Sequence, residues 1–279
     1  MPLTLFMVLD EEFAFNLVKR GILKRKGVDC SKYRDNYLRR RIDHRMKAIG
    51  VASSYREYYR FLERNPAEYD LLLDGITINV TDFFRDRDMW NAFTNDVLPQ
   101  QLQEMNRRKS KLLRIWSAGC SIGEEPYTIA IILHEKLGPT LNNFFVSIHA
   151  TDIDAKALEV ARAGIYDAHA LRNLSRTQIV RYFDKLGSKY RLKDDVKRLV
   201  KFQQHDLISG RKFSHFDIIF CRNVMIYFRK ELQKRLLLDF LAALNNGGYL
   251  ILGKTESIPG EVLDKFICVN IRERIYRKK

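Results

Sequence analysis

The residues best suited to chemistry stand where apolar runs end. Leu112 to Trp116 is short and bulky, as a buried parallel strand requires. It turns through Ser117, Ala118, Gly119, Cys120, Ser121 and Gly123 into the carboxylates Glu124 and Glu125, and then Pro126. Pro126 suits a first helical turn, and Ile129, Ile132, Leu133 and Leu137 recur at helical spacing until Gly138-Pro139. Strand, small-residue turn and helix open a Rossmann-like unit, whose glycine-lined turn lets an adenosine-containing ligand approach the backbone. Gly119-x-x-x-Gly123 is neither the GxGxxG of dinucleotide enzymes nor a P-loop with its lysine. On this stretch alone, a plain strand-to-helix turn is the competing reading.

The pattern repeats downstream. Phe144 to Ala150 ends at Asp152, 33 residues beyond Gly119. That spacing exceeds the roughly 20 residues of a dinucleotide fingerprint, and the long intervening helix and loop account for it. An acid at that strand end is placed to accept hydrogen bonds from ribose hydroxyls. Leu199 to Leu207 ends at Asp206, and Phe216 to Phe220 runs into Cys221-Arg222-Asn223-Val224-Met225-Ile226-Tyr227-Phe228. Gly119 with Glu125, Asp152, Asp206 and Asn223 therefore share one rim of the predicted sheet, which points to an adenosine-type cofactor. No Ser-His-Asp order, GxSxG or metal-ligand cluster occurs, and His134, His149, His169 and His205 are isolated, so no metal is expected.

Around this core, Phe13 to about Asp74 reads as short polar helices, with Tyr55, Tyr58, Tyr59 and Leu62 at helical steps. The second of them, about Tyr33 to Ile49, concentrates Arg34, Arg39, Arg40, Arg41, Arg45 and Lys47. Such a run is a solvated face or a docking surface for an acidic partner. Ile76 to Arg87 breaks the helical pattern, and Trp90 to Leu102 resumes it. The expected division is a helical domain over 1–76 and an α/β domain over 77–279, with 77–110 as linker and leading helix. Within the latter, 168–201 is an insertion whose pieces RYFDKLG and KYRLKDD suit a small β-ribbon. Glu231 to Leu244 reads as an amphipathic helix, and Phe266 to Asn270 with Glu273 to Arg277 as a closing antiparallel hairpin.

A chain of 279 residues, 46% hydrophobic and 30% charged, has the composition of a globular protein with a real core. No apolar run reaches the ~18 residues needed to cross a bilayer, and early Asp10, Glu11 and Glu12 speak against a signal peptide. Cys30, Cys120, Cys221 and Cys268 are far apart, arguing against zinc or disulfides and for a reducing cytosol. The net charge of +15 suits nucleic acid or an acidic protein partner equally well.

Four segments, NVTDFFR (79–85), IWSAGCSIGEEPYTIAI (115–131), ATDIDAKALEVARAGIY (150–166) and FDIIFCRNVMIYF (216–228), occur in an order that resembles one family. These are the CheR-type chemotaxis receptor glutamate O-methyltransferases, and the likeness covers essentially the whole chain. It implies a Rossmann-like class I S-adenosylmethionine-dependent methyltransferase domain, with a small all-α N-terminal domain and a small inserted β-subdomain. It implies S-adenosylmethionine as cofactor and S-adenosylhomocysteine as product. Carried over by position, Asn79, Thr81, Arg85, Gly119, Glu125, Asp152, Asp206, Leu207, Asn223 and Val224 would surround the cofactor; Asp206 stands where some relatives have Asn. Arg85 and Tyr227 would orient the reacting carboxylate, and Arg39, Arg40, Arg41 and Arg45 would dock the substrate. The implied partners are methyl-accepting chemotaxis receptors, reached from the cytoplasm at membrane-bound arrays, without nucleic acid or membrane insertion. Methylation of RNA or DNA, and a non-catalytic S-adenosylmethionine-binding adaptor, are the alternatives. The former is weakened because no NPPY- or DPPY-like element appears.

Overall fold

Apolar residues at three- and four-residue steps give the first part of the chain its helices, and near-continuous apolar runs give the second its parallel strands. The computed structural model describes residues 2–50, 54–77 and 81–279, with side chains from residue 10 onward. Cα packing divides the chain into two units, one of the first 78 residues with Tyr227–Leu232, the other of the remainder.

The helical unit contains α1 (Pro2–Lys26), α2 (Asp35–Ile49), α3 (Tyr55–Arg64) and α4 (Glu68–Ile76). Phe15, Val18 and Ile22 of α1, Leu38 and Ile42 of α2, Tyr58 and Leu62 of α3, and Tyr69 and Leu72 of α4 are buried. Glu11 fastens the start of α3, accepting from the Ser54 hydroxyl and the Tyr55 N–H, each at 2.9 Å. The buried Glu68 takes Arg45 on both carboxylate oxygens, Nη2 at 2.8 Å, and the Tyr58 hydroxyl at 3.2 Å.

In the α/β unit, α5 (Arg87–Ala92), a single π-turn over Phe93–Val97 and α6 (Leu98–Arg107) form one nearly continuous helix ahead of the sheet. The strands are β1 (Leu112–Ala118), β2 (Phe145–Asp152), β3 (Ile165–Asp167), β4 (Phe183–Leu186), β5 (Lys189–Leu192), β6 (Val200–Gln204), β7 (Phe216–Cys221), β8 (Leu244–Leu252), β9 (Phe266–Asn270) and β10 (Ile275–Lys278). Their helices are α7 (Glu124–Leu137), α8 (Ala155–Ala163), α9 (Arg176–Tyr182), α10 (Asp194–Lys197), α11 (Lys230–Ala243) and α12 (Gly260–Leu263). The main sheet has the order β6-β2-β1-β7-β8-β10-β9, parallel from β6 through β8, with β10 antiparallel to both β8 and β9. β1 lies between β2 and β7, pairing Ala118 with Thr151 and Ser117 with Phe220. Chain order reverses at β1, so its carboxyl end is the topological switch point where open α/β sheets bind ligands.

The insertion differs from the two-stranded ribbon expected of it. It is a three-stranded antiparallel sheet, β3-β5-β4, and its first strand begins at Ile165, ahead of the expected boundary. Three residues are too few to display a period of two, so β3 is invisible as a pattern and exists because β5 supplies its partners.

Candidate active site

Gly119 ends β1 with φ +80°, and its N–H reaches the Thr151 carbonyl of β2 at 2.8 Å. A Cβ there would stand 2.4 Å from Val224 Cγ2, so glycine alone lets the turn after β1 approach the loop after β7. Asp152 ends β2 and shapes the same turn from the other side. One of its oxygens accepts the Ser121 N–H at 2.7 Å, the other the Asp154 N–H at 3.0 Å. Burial pushes its carboxyl up, against the pull of those backbone donors. Each oxygen has lone-pair capacity left for an outside donor.

Glu125 sits in the first turn of α7, with its side chain only 12% exposed. The Ser117 hydroxyl donates to Oε1 at 2.8 Å and Arg222 Nη1 to Oε2 at 3.1 Å. Burial raises the carboxyl, opposed chiefly by the charge of Arg222, with a smaller contribution from that of Arg85. Its neighbour Glu124 is buried with Oε2 unpartnered, while Thr81 hydrogen-bonds the side chain. Burial carries Glu124 up to about 7.

Arg85 lies in a turn, its N–H donating to the Asp82 carbonyl at 3.3 Å. Asn223 has φ +60°, and a carboxylate secures its loop. Glu256 accepts the N–H groups of Asn223, Val224, Met225 and Gly253 at 2.7–3.0 Å. Asp206 forms the turn after β6, accepting the Ile208 N–H at 2.8 Å and the Ser209 hydroxyl, with Leu207 half-buried beside it. Burial raises the Cys120 and Cys221 thiols well above their ordinary value, so neither is poised as a thiolate nucleophile.

The structure thus brings Thr81, Arg85, Gly119, Glu125, Asp152, Asp206, Leu207, Asn223 and Val224 into the α/β unit, most of them at or just beyond strand ends. Asn79 lies outside the described residues. Tyr227 belongs to the helical unit, where its ring centroid is 4.7 Å from that of Tyr37 and its carbonyl accepts the Arg34 N–H at 3.0 Å. The basic helix is less available than its composition suggests. Arg45 is tied to Glu68, and Arg39 to Glu12, its guanidinium stacked 4.1 Å from the Phe15 centroid. Arg40 is exposed and Arg41 half-buried over Tyr37. Arg222, Glu256 and Glu124 went unassigned in the sequence. Arg222 had a signal, a charge directly following the apolar run 218–221 of a buried strand; Glu256, four residues past β8, had none.

A parallel sheet with a glycine turn, an acid and a buried carboxylate gathered at its switch point defines a Rossmann-like nucleotide-cofactor unit. The chain matches the family descriptions "CheR methyltransferase, all-alpha domain" over residues 14–77 and "CheR methyltransferase, SAM binding domain" over residues 79–275. It belongs to the CheR methyltransferase family and is an S-adenosylmethionine-dependent methyltransferase. Similar proteins include the chemotaxis protein methyltransferase of Borreliella burgdorferi, 36% identical over 84% of both chains. That of Vibrio parahaemolyticus is 42% identical over 74% of both, and that of Listeria monocytogenes 31% identical over 90% of this chain and 93% of its own. No helix among the described residues is long and apolar enough to cross a membrane.

Proposed function

We propose that the protein esterifies glutamate side chains on the cytoplasmic helices of chemotaxis receptors, working in the cytoplasm at membrane-bound receptor arrays. The observation that carries the reading is the pair of carboxylates, Asp152 at the end of β2 and Glu125 in the first turn of α7, on either side of a turn that admits no Cβ. These residues fit S-adenosylmethionine. The acid of Asp152 suits ribose hydroxyls, Glu125 suits a cationic group, and Gly119 leaves its backbone open to close approach. Thr81, Asn79, Asp206, Leu207, Asn223 and Val224 complete the pocket in this reading. When bound, the cofactor supplies an electrophilic methyl group on a sulfonium centre.

A glutamate with an ordinary pKa of about 4.3 is already an anion at neutral pH, so the chain need provide no general base. What it must provide is orientation and exclusion of water. Arg85 grips the acceptor carboxylate through its planar fork and offsets the cost of stripping water from it. Arg40 and Arg41 steer an acidic receptor surface toward the enzyme. The test is to incubate the protein with methyl-labelled S-adenosylmethionine and a whole-cell extract. Base-labile label in membrane protein is the expected result; label in nucleic acid removes the proposal.

A further inference from the structure

The turn that carries Arg85 has an unfavourable backbone on both sides. Phe84 has φ +52° and Asp86 φ +62°, and neither is glycine. Such conformations persist only where the surroundings impose them. On the leading side the surroundings are the Thr128 hydroxyl, which accepts the Phe84 N–H at 3.1 Å, and Asn173, whose amide donates to the Phe83 carbonyl at 3.0 Å. On the trailing side the Asp86 carbonyl accepts the Met89 N–H of α5 at 2.9 Å, and a guanidinium grips the turn from across the sheet. Arg222 Nη2 donates to the Arg85 carbonyl at 3.2 Å and to Asp86 Oδ2 at 2.7 Å, while Nη1 holds Glu125 at 3.1 Å. The Arg222 side chain is 4% exposed and lies 5.4 Å from the Trp90 ring centroid.

Its three acceptors come from two separate stretches, the 85–86 turn and the first turn of α7, and Arg222 itself follows β7. A rigid planar fork is the side chain that can serve them together, and lysine is not. We propose that Arg222 is a positioning residue for methyl transfer, locking the Arg85–Asp86 turn to Glu125 so that the acceptor-orienting group and the cofactor-side carboxylate share one frame. This builds on the roles proposed above for Arg85 and Glu125. Cutting the arm to Asp86 loosens Arg85 without touching Glu125, so catalysis and cofactor binding should separate.

The experiment compares full-length wild type, Asp86→Asn, Arg222→Lys, the double variant and Arg85→Lys. Membranes from the organism's own cells serve as acceptor, with initial base-labile labelling at saturating donor, S-adenosylhomocysteine affinity by calorimetry, and melting temperature. Asp86→Asn should slow labelling about tenfold and Arg222→Lys about a hundredfold, the size expected of a misplacement near the reacting atoms. For Asp86→Asn the affinity should stay within about twofold, because Glu125 keeps its partners, and the double variant should match Arg222→Lys, because both cut one tether. A purely structural tether would lower the melting temperature and leave the rate per folded molecule unchanged. Asp86→Asn at the wild-type rate, or effects that multiply in the double variant, overturns the proposal. If Arg222→Lys does not fold, the split between rate and affinity in Asp86→Asn decides alone. Arg85→Lys separates the two levels. If it is slow while Asp86→Asn is normal, only the role of Arg222 falls; if it runs at the wild-type rate, the role of Arg85 falls, and this proposal with it.

Discussion

In the helical unit, Arg45 meets Glu68 through two nitrogens, Tyr58 donates to the same carboxylate, and both partners sit on regular helices. In the α/β unit, Arg222 divides its donors among Glu125, Asp86 and the Arg85 carbonyl, and leaves its Nε buried without a partner among the described residues. Glu124, next to Glu125 in the chain, keeps an oxygen unpartnered among the described residues, and the 84–86 turn runs through left-handed residues. Both arrangements set an arginine against a buried carboxylate, Arg45 half-buried and Arg222 buried. The first is satisfied on unstrained backbone, as a device that only holds structure should be. The second tolerates orphaned atoms and strain, which cost stability and persist where the geometry serves something else.

The contrast breaks most sharply at Arg85. Replacing it with Ala should slow single-turnover methyl transfer by roughly a hundredfold or more at saturating cofactor, with the fold retained, and Lys should fall between Ala and wild type. Rates within a few-fold of wild type in both would reduce the strained turn to a structural feature.

Glu68→Ala should do the reverse. Removing one partner of a buried pair strands the other, and a loss of about 3 kcal/mol in denaturant unfolding is expected. Cofactor affinity below the melting transition should be unchanged. A stability loss near zero would mean that water replaces the carboxylate at no cost, and the two networks would no longer differ in kind.

Glu124 sharpens the comparison through pH. Its folded pKa, about 7, lies above the ordinary 4.5, so the native state holds the proton more tightly than the unfolded chain. The associated stability is complete below the ordinary value and is lost as pH rises through about 7. Glu124→Gln should therefore match wild type near pH 4.5 and exceed it at pH 8 by up to about 3 kcal/mol. A difference that does not grow across that interval in parallel denaturant titrations would show the carboxyl to be solvated.

The smallest effect is expected at the exposed part of the basic helix. Arg40→Glu with Arg41→Glu should slow receptor labelling a few-fold at low salt, and the difference should vanish near 1 M salt, where charge is screened within about 3 Å. An equal rate at all salt concentrations would make these arginines solvated side chains.

Composition, periodicity and punctuation carried much of this architecture. Helical steps from Phe13 onward, the apolar runs of β1, β2 and β7, and the small residues of the turn after β1 are local signals, because strand burial and turn sterics act on neighbours in the chain. Polar residues ending those runs were legible for the same reason, since a strand stops where its side chains stop being apolar. What a side chain touches is set by residues distant in sequence. Arg45 and Arg40 look alike in a basic run, yet only Arg45 finds Glu68, which is 23 positions away. Glu256 secures the loop around Asn223 from beyond β8, and β3 is a strand only because β5 lies beside it. The left-handed turns around Arg85 likewise have no signature in Phe84, whose side chain disfavours that backbone, and Asp86 only tolerates it. Only the packed sheet brings Thr128 and Arg222 to the hydrogen bonds that hold the turn, and so only tertiary structure decided how Arg85 is presented.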